Sequence, residues 1–427
     1  MVSLEDRLPS VPEGAQKREW DEIAVAYKEA IEQTSFYRQL SSEVVSEVKG
    51  CKRVIDLGCG TAAHLEKLLE ANPGCEVVGV DSNLHMLAIA QQRLQQGFPN
   101  SRFRLHYADA VNFRAESGFD AVVSSNVLFN LDRPMDYLDN AYTLLSPGGI
   151  LVLTSPQELS NMELAERMMR EDFRRQGKYE EKRQHIDVVW RVNRTFPGRS
   201  NVYSAERMRD ILLDFIGFDE ILSQKTTYGS NFFFVAQKGE PHEVKYVFSD
   251  DPKLLKKGFR LRYHFLFDRL KAVDENREGV YMNPCDERSS GLFAMEGEKV
   301  VGFINYVPPG EDMPFSDKGL LDDLCKQYGR VGACNGFYVV KTRQGGRIGV
   351  VMVKTLMKEA AGWDIGAIVT EANPEIARSV VKFGWSTLKM VSSSHGGKEL
   401  PSALMMAPLK QPALEYAIQE HANQSIS

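Results

Sequence analysis

The chain has 427 residues, which at roughly 100–200 residues per domain allows two or three domains. Hydrophobic residues make up 43%, enough to bury substantial cores, and the formal net charge of -6 excludes a global basic field that would draw the protein to nucleic acid or to an anionic membrane. The six cysteines (Cys51, Cys59, Cys75, Cys285, Cys325, Cys334) have no CxxC spacing, so neither a zinc site nor a disulfide framework is expected, and a reduced, cytoplasmic setting fits.

Residues 1–14 are polar and acidic with no apolar h-region, so they do not read as a secretory signal. The longest apolar runs, such as 232–236, fall far short of the roughly 20 residues that span a bilayer. Residues 17–47 have helical periodicity. A strand is expected at 52–57, a helix at 62–71, a strand at 76–81, a helix at 84–96, and strands at 102–107 and 119–125. A helix at 135–145 then leads through the turn Pro147-Gly148-Gly149 into a further strand. Buried β-branched strands alternating with helices indicate an α/β, doubly wound parallel sheet. Residues 157–203 are helical, charged and rich in Arg and Met, and they read as an inserted cap. The sheet resumes with a helix at 207–215 and strands at 218–222 and 231–237, the last two as an antiparallel hairpin.

At 239–244 Gly and Pro interrupt the periodicity and suggest a linker between a first domain, 1–238, and a second, α+β domain, 245–410. In the second domain a helix is expected at 254–271 and a hairpin from 291 turning at Glu296-Gly297. Next come a strand from 332, a helix at 348–361, a strand from 365 and a helix at 374–383. Residues 411–427 read as a polar tail.

The segment Val54-Ile-Asp56-Leu-Gly58-Cys59-Gly60-Thr61-Ala62 joins the first strand to the first helix of the sheet. Its glycines let the backbone turn sharply and approach a ligand, which in such sheets sits at the carboxyl ends of the strands. Asp81 ends the second strand, where a carboxylate can accept both hydroxyls of a ribose. Asp109, just past the third strand, can accept from an adenine amino group, and Asn126-Val127-Leu128 follows the fourth strand as a pocket wall. A dinucleotide reading is disfavoured because Ala63 stands where G-x-G-x-x-G requires its last glycine.

Taken together, residues 54–62, Val80-Asp81, Ala108-Asp109 and LLSPGGI (144–150) resemble class I S-adenosylmethionine-dependent methyltransferases, over about residues 19–238. That resemblance implies a site for S-adenosylmethionine at Asp56, Gly58, Cys59, Gly60, Asp81, Ser82, Asp109, Ala110 and Asn126. Asp56 would act at the methionine end, Asp81 at the ribose and Asp109 at the adenine. Trp20 to Ala24 and Tyr27 resemble the family's N-terminal lid. Methyl transfer is a direct displacement that mainly needs positioning, so no universal catalytic residue is expected. His185, in the cap, is a candidate base or substrate contact, and a solvated helical face would account for it equally.

In the second domain, Phe337-Tyr338-Val339-Val340 precedes a loop, Thr342-Arg343-Gln344-Gly345-Gly346-Arg347-Ile348-Gly349, and an amphipathic helix. A strand, a basic glycine-rich loop and a helix N-terminus together suit a pyrophosphate. Asn373 ends a later strand, and ARSVVKFGW (377–385) follows. The arrangement resembles GNAT acyltransferases over about residues 246–409, which implies acyl-CoA held by Val339, residues 344–349 and Asn373. It departs from their pattern at Arg347 or Ile348, depending on alignment. Val380 and Val381 stand where that family often has a tyrosine acid, so Tyr338 is the candidate acid and Glu371 the candidate base. Residues 260–265 and 302–304 also resemble the acyl-homoserine-lactone and N-acyl amino acid synthase branch of that superfamily.

The expected function is bifunctional: methyl transfer to a small molecule and acyl-CoA-dependent N-acylation, in specialised metabolism, with an acyl carrier protein as an alternative donor. The other readings are a methyltransferase with a silent C-terminal docking domain and a non-enzymatic S-adenosylmethionine sensor. No metal, nucleic-acid partner or membrane is expected, and the oligomeric state is open.

Overall fold

The computed structural model describes residues 23–115, 118–157, 162–195, 202–227, 231–274, 276, 278–310, 312–340, 342, 347–395 and 398–409. The chain divides into two compact units, Met1–Glu240 and Pro241–Ser427.

The first unit begins with α1 (residues 23–29), a short 3-10 turn (Ile31–Gln33) and α2 (Ser35–Val48). One helix was expected over 17–47. Thr34 breaks it, because its extended backbone and its hydroxyl, which accepts from Tyr37 N–H, make it the N-cap of α2. Next come β1 (Arg53–Leu57), α3 (Ala63–Ala71), β2 (Glu76–Asp81), α4 (Leu84–Gly97), β3 (Phe103–Tyr107), β4 (Phe119–Ser125), α5 (Pro134–Leu144) and β5 (Leu145–Pro156). The cap region holds α6 (Met162–Arg175) and α7 (Tyr179–Thr195), and α8 (Ala205–Asp210), β6 (Glu220–Thr227) and β7 (Asn231–Gln237) complete the unit.

The strand order is β3-β2-β1-β4-β5-β7-β6. The pairs β2–β3, β1–β2, β1–β4 and β4–β5 are parallel, while β7 is antiparallel to both β5 and β6. This is the expected doubly wound sheet with a terminal antiparallel hairpin. The Pro-Gly-Gly turn lies within β5 as an irregularity: Phe119 pairs with Leu145, then Ala121 with Ile150, and Gly148 has φ +75°. The helix expected at 207–215 is α8 continued by a π-helical turn, Ile211–Ile216. Val54, Val77, Ala121, Val123, Val152 and Phe233 from the sheet meet Leu40 and Val44 of α2 and Leu65, Leu68 and Leu69 of α3 in one buried core.

The second unit runs β8 (Val244–Ser249), α9 (Pro252–Tyr263), β9 (Ser290–Glu296), β10 (Lys299–Val307), α10 (Lys318–Tyr328), β11 (Val331–Val339), α11 (Ile348–Ala360), β12 (Ala367–Ala372), α12 (Pro374–Val380), β13 (Ser386–His395) and β14 (Lys398–Pro408). The helix expected at 254–271 ends as a π-helical turn, His264–Arg269. The sheet order is β13-β14-β12-β11-β10-β9-β8. β11 and β12 pair in parallel over Val331–Cys334 and Ala367–Thr370. Beyond that point β11 continues against β10 and β12 continues against β14. The two central strands therefore part company at their carboxyl halves.

Candidate functional sites

At the end of β1 the backbone turns through Gly58 (φ +81°) and Gly60 (φ +53°). Gly58 N–H and Cys59 N–H both donate to Val80 C=O, at 2.7 and 3.0 Å, which ties the turn to β2. A Cβ on Gly58 would overlap the side chain of Val127, so the segment after β4 lies directly against the turn. Ala62 occupies the left-handed region as well (φ +64°), a conformation costing about 1 kcal/mol without glycine. It starts α3 where a third glycine is usual.

Two carboxylates face this turn. Asp81 accepts from Gly60 N–H at 2.8 Å and Asn83 N–H at 2.9 Å. Burial nevertheless pushes it up to about 6, since the backbone bonds from Gly60, Asn83 and Ser82 offset only part of the desolvation. Asp56 is 1% exposed, and neither oxygen has a hydrogen-bond partner among the described residues. Burial, aided by the Asp81 charge, raises it to about 8. A buried carboxyl without donors beside a second acidic side chain suits a cationic ligand, and S-adenosylmethionine carries both an ammonium and a sulfonium.

The expected lid residue, Tyr27, comes to the same place. Its hydroxyl is buried, and burial, then the charges of Glu32, Asp56 and Asp81, push it up. It meets Tyr37 edge-on at 6.1 Å. Tyr37 stacks on His64 at 5.6 Å, and burial lowers His64 to about 4, leaving a neutral ring 3.0 Å from Ser41 Oγ. Asp109 uses its carboxylate to accept from Val111 N–H and Asn112 Nδ2, both at 2.8 Å, which shapes the turn after β3. Ala110 is 8% exposed and its carbonyl accepts from Asn140 Nδ2. Asn126 has φ +57°, and its Oδ1 accepts from Asn231 Nδ2 at 2.6 Å. Burial raises the Cys59 thiol, so it fills the turn as a neutral group.

Sequence reasoning missed a buried knot beside the turn. Glu32, 6% exposed, pairs with Arg93 at 2.6 Å and accepts from Thr61 Oγ1. Arg93 also reaches Glu66 at 3.3 Å. No spacing rule joins these residues; the break at Thr34 brings Glu32 there.

The cap is fastened to the N-terminal segment. Lys182 of α7 pairs with Glu29 of α1 at 2.7 Å. Asp172 of α6 accepts from Ser35 N–H and Oγ, at 2.7 and 2.8 Å. Ile23, Ala24, Ala26 and Ala30 of α1 share an apolar cluster with Met169, Phe173, Ile186, Val189 and Trp190. His185 lies beside Glu29, whose carboxyl is held low chiefly by its bond from Lys182, with a smaller contribution from His185. Among the described contacts none joins His185 to Tyr27, Asp56 or Asp81, so the geometry gives it no direct route to a methyl acceptor.

In the second unit, the strand β11 beyond Cys334 carries Asn335 to Val339 into the opening left by β12. Tyr338 sits there, edge-on to Phe265 at 5.3 Å, and burial pushes its phenol up, with Arg262 opposing and Asp286 adding. Behind it is a fully buried ion pair, Arg262–Asp286 at 2.6 Å. Asp286 also accepts from Asn283 N–H, Asn305 Nδ2 and Asn335 Nδ2, at 2.6, 2.6 and 3.2 Å, while Arg262 Nη2 donates to Asn335 C=O at 2.8 Å. A separation of 24 residues hid this pair from sequence reading.

Of the loop residues, Gln344, Gly345 and Gly346 lie outside the described residues. Arg347 is the N-cap of α11, Ile348 is buried and Gly349 faces Phe337. Val339 pairs with Gly302 of β10. Asn373 Oδ1 accepts from Ile376 N–H at 2.9 Å, starting α12. The Glu371 carboxylate accepts from Ser316 N–H, so it braces the segment before α10 rather than standing free as a base.

Residues 49–201 match the family model "Methyltransferase domain" and residues 260–385 match "Acetyltransferase (GNAT) family". The trans-aconitate 2-methyltransferase of Delftia acidovorans is 31% identical over 123 residues, covering 28% of this chain and 43% of that protein. The demethylmenaquinone methyltransferase of Thermus thermophilus is 38% identical over 108 residues, covering 25% and 47%. The chain thus spans less than half the length of these relatives. The N-methyltransferase NodS of Bradyrhizobium japonicum, solved with S-adenosyl-L-homocysteine, superposes with a TM-score of 0.36 at 18% identity, covering 52% of this chain and 100% of that one.

The N-terminal unit is a methyltransferase domain of the S-adenosylmethionine-dependent class. The C-terminal unit is a domain of the GNAT acetyltransferase family, so two group-transfer folds stand in one chain. No helix among the described residues is long and apolar enough to cross a membrane.

Proposed function

We propose that the chain is a bifunctional enzyme that methylates a small molecule with S-adenosylmethionine and N-acylates an amine with an acyl thioester, within specialised metabolism. The observation that carries the first activity is the left-handed glycine turn faced by Asp81 and the partnerless, buried Asp56. S-adenosylmethionine supplies an electrophilic methyl group on a cationic sulfur. Asp56 and Asp81 offset that positive charge, Gly58 and Gly60 admit close backbone approach, and Tyr27 covers the site and keeps water out. In this reading Tyr338, whose phenol burial keeps protonated, gives a proton to the departing thiolate.

A second reading is favoured by Val380, the last residue of α12, and Val381 after it: the C-terminal unit would dock an acyl carrier protein or another partner without chemistry. The six unpaired cysteines support a cytoplasmic setting.

Asp81→Ala tests the donor site. S-adenosylhomocysteine affinity is expected to fall about tenfold to a hundredfold for the loss of one charge-assisted bond. An unchanged affinity in a folded variant would remove Asp81 from the site.

A further inference from the structure

Beside the donor-site residues Asp56 and Asn126, the carboxyl edge of the first sheet carries the polar side chains of Ser125, Thr154 and Asn231. Asp56 is in register with Val123, Ser125 with Thr154, and Pro156 with Asn231. Since side chains alternate between faces, Asp56, Ser125, Thr154 and Asn231 all point to one face. It is the face on which Val123, Val152 and Phe233 meet α2 and α3. Ser125 Oγ and Thr154 Oγ1 are buried and have no hydrogen-bond partner among the described residues. Asn231 is 3% exposed.

Asn126 completes the row. It holds a left-handed backbone without being glycine, anchored by its N–H to Thr154 C=O at 2.8 Å. Such strain persists where the surroundings enforce it, and it concentrates at ligand sites. The next residue, Val127, abuts Gly58, so the Asn126–Asn231 amide pair borders the glycine turn. That hydrogen bond uses Asn126 Oδ1 and Asn231 Nδ2, and it leaves Asn231 Oδ1 as an acceptor and Asn126 Nδ2 as a donor.

Asp56 and Glu32 are buried here and Asp81 is half-buried, with Asp56 holding its proton up to about 8. The nearby Lys225, which lies over the Phe233 ring, is paired with Glu43 at 3.1 Å. The described cation that reaches the glycine turn, Arg93, is tied to Glu32, Glu66 and Thr61. His64 is neutral. A carboxylate brought to this edge would meet the Asp81 carboxylate and Asn231 Oδ1, with Asn126 Nδ2 as the donor of the amide pair; an amine would meet acceptors in Asn231 Oδ1, Ser125 Oγ and Thr154 Oγ1.

We propose that the methyl acceptor presents an amine, not a carboxylate, to the Asn126–Asn231 pair, with Ser125 and Thr154 beneath it. This rests on the methyl-donor reading above. The amine nitrogen's lone pair forms the N–C bond to the methyl carbon. The C–S bond breaks with its electron pair on sulfur, leaving a neutral thioether, and the proton lost from nitrogen passes to water. Asn231 Oδ1 orients the N–H, and Thr154 Oγ1 and Ser125 Oγ turn to complete the donors' partners.

The test uses sinefungin, the S-adenosylhomocysteine analogue whose amine stands where the methyl group would be. On the full chain, both ligands are titrated calorimetrically into wild type and Asn231→Leu, and the affinity ratio is read within each protein. Wild type is expected to favour sinefungin about tenfold, one charge-assisted hydrogen bond, and Asn231→Leu is expected to lose most of that preference. Should Asn231→Leu fail to fold, the isosteric Thr154→Val is expected to reduce the ratio instead. No preference in wild type, or a preference undiminished in the variant, overturns the amine assignment while leaving the donor site standing. Failure of both ligands to bind wild type overturns the donor reading and this inference with it.

Discussion

Replacing Asp56 with asparagine is expected to stabilise the protein while weakening its donor site, and the effect has a definite pH signature. The folded protein holds the Asp56 proton up to about 8, against 3.8 for the ordinary side chain. Between those values the folded state binds more protons than the unfolded one, so stability falls as pH rises. The penalty is absent below about 3.8, grows through the window and is complete above about 8. Taken in full it corresponds to about 6 kcal/mol, and relaxation or entry of water around the carboxylate would leave about 3. Asparagine keeps the shape and removes the charge. Thermal unfolding of wild type and Asp56→Asn would be followed at pH 4, 6.5 and 8.5 (about the start, middle and end of that window), using the transition that S-adenosylhomocysteine shifts. The variant is expected to melt higher by roughly 6–12 °C at the highest pH, taking 2–4 °C per kcal/mol for a unit of this size, and by little at the lowest. A gain that does not vary with pH, or a loss at the highest pH, would refute the assignment of a buried, uncompensated carboxyl.

Two further substitutions probe the units separately. Gly58→Ala places a Cβ into Val127 and forces φ +81° on an L-residue; a loss of about 2–4 kcal/mol in stability is expected, together with weakened S-adenosylhomocysteine binding, both read by ligand-dependent melting. Asp286→Ala strands the fully buried Arg262 guanidinium; the C-terminal unit is expected to lose about 3–5 kcal/mol, measured by urea unfolding, with S-adenosylhomocysteine affinity unchanged.

The strands and glycine turn of the first unit were legible because their signals are local. Residues 54–57, 76–81 and 119–125 are short runs built around Val and Ile, and Gly58 and Gly60 mark a turn that only a backbone without Cβ enters easily. In the second unit β8, α10, β13 and β14 escaped notice. Val244–Ser249 alternates weakly, with Lys245 and Tyr246 among its residues, and it lies at a sheet edge. Pro401 argues against a strand at 398–408, yet β14 pairs with β12 only over Ala403–Pro408, so the proline falls where β13 alone is its neighbour. The donor carboxylates could be read from position, but their state could not. Asp56 is unusual because its buried oxygens have no donor among the described residues, a result of tertiary packing that no spacing reveals. Arg262–Asp286 and Glu32–Arg93 are likewise tertiary pairs without a sequence period. His185 and Glu371 had suitable side chains, and the fold gives them other neighbours, Glu29 and Ser316 N–H.

Calorimetric titration of acetyl-CoA into this chain, already saturated with S-adenosylhomocysteine, asks whether it holds two donor sites. Saturable binding of acetyl-CoA is expected at a stoichiometry near one (about one site per GNAT domain), on top of the saturation by the first ligand. An absence of binding heat, with long-chain acyl-CoA as with acetyl-CoA, would contradict it and leave the C-terminal unit as a docking domain.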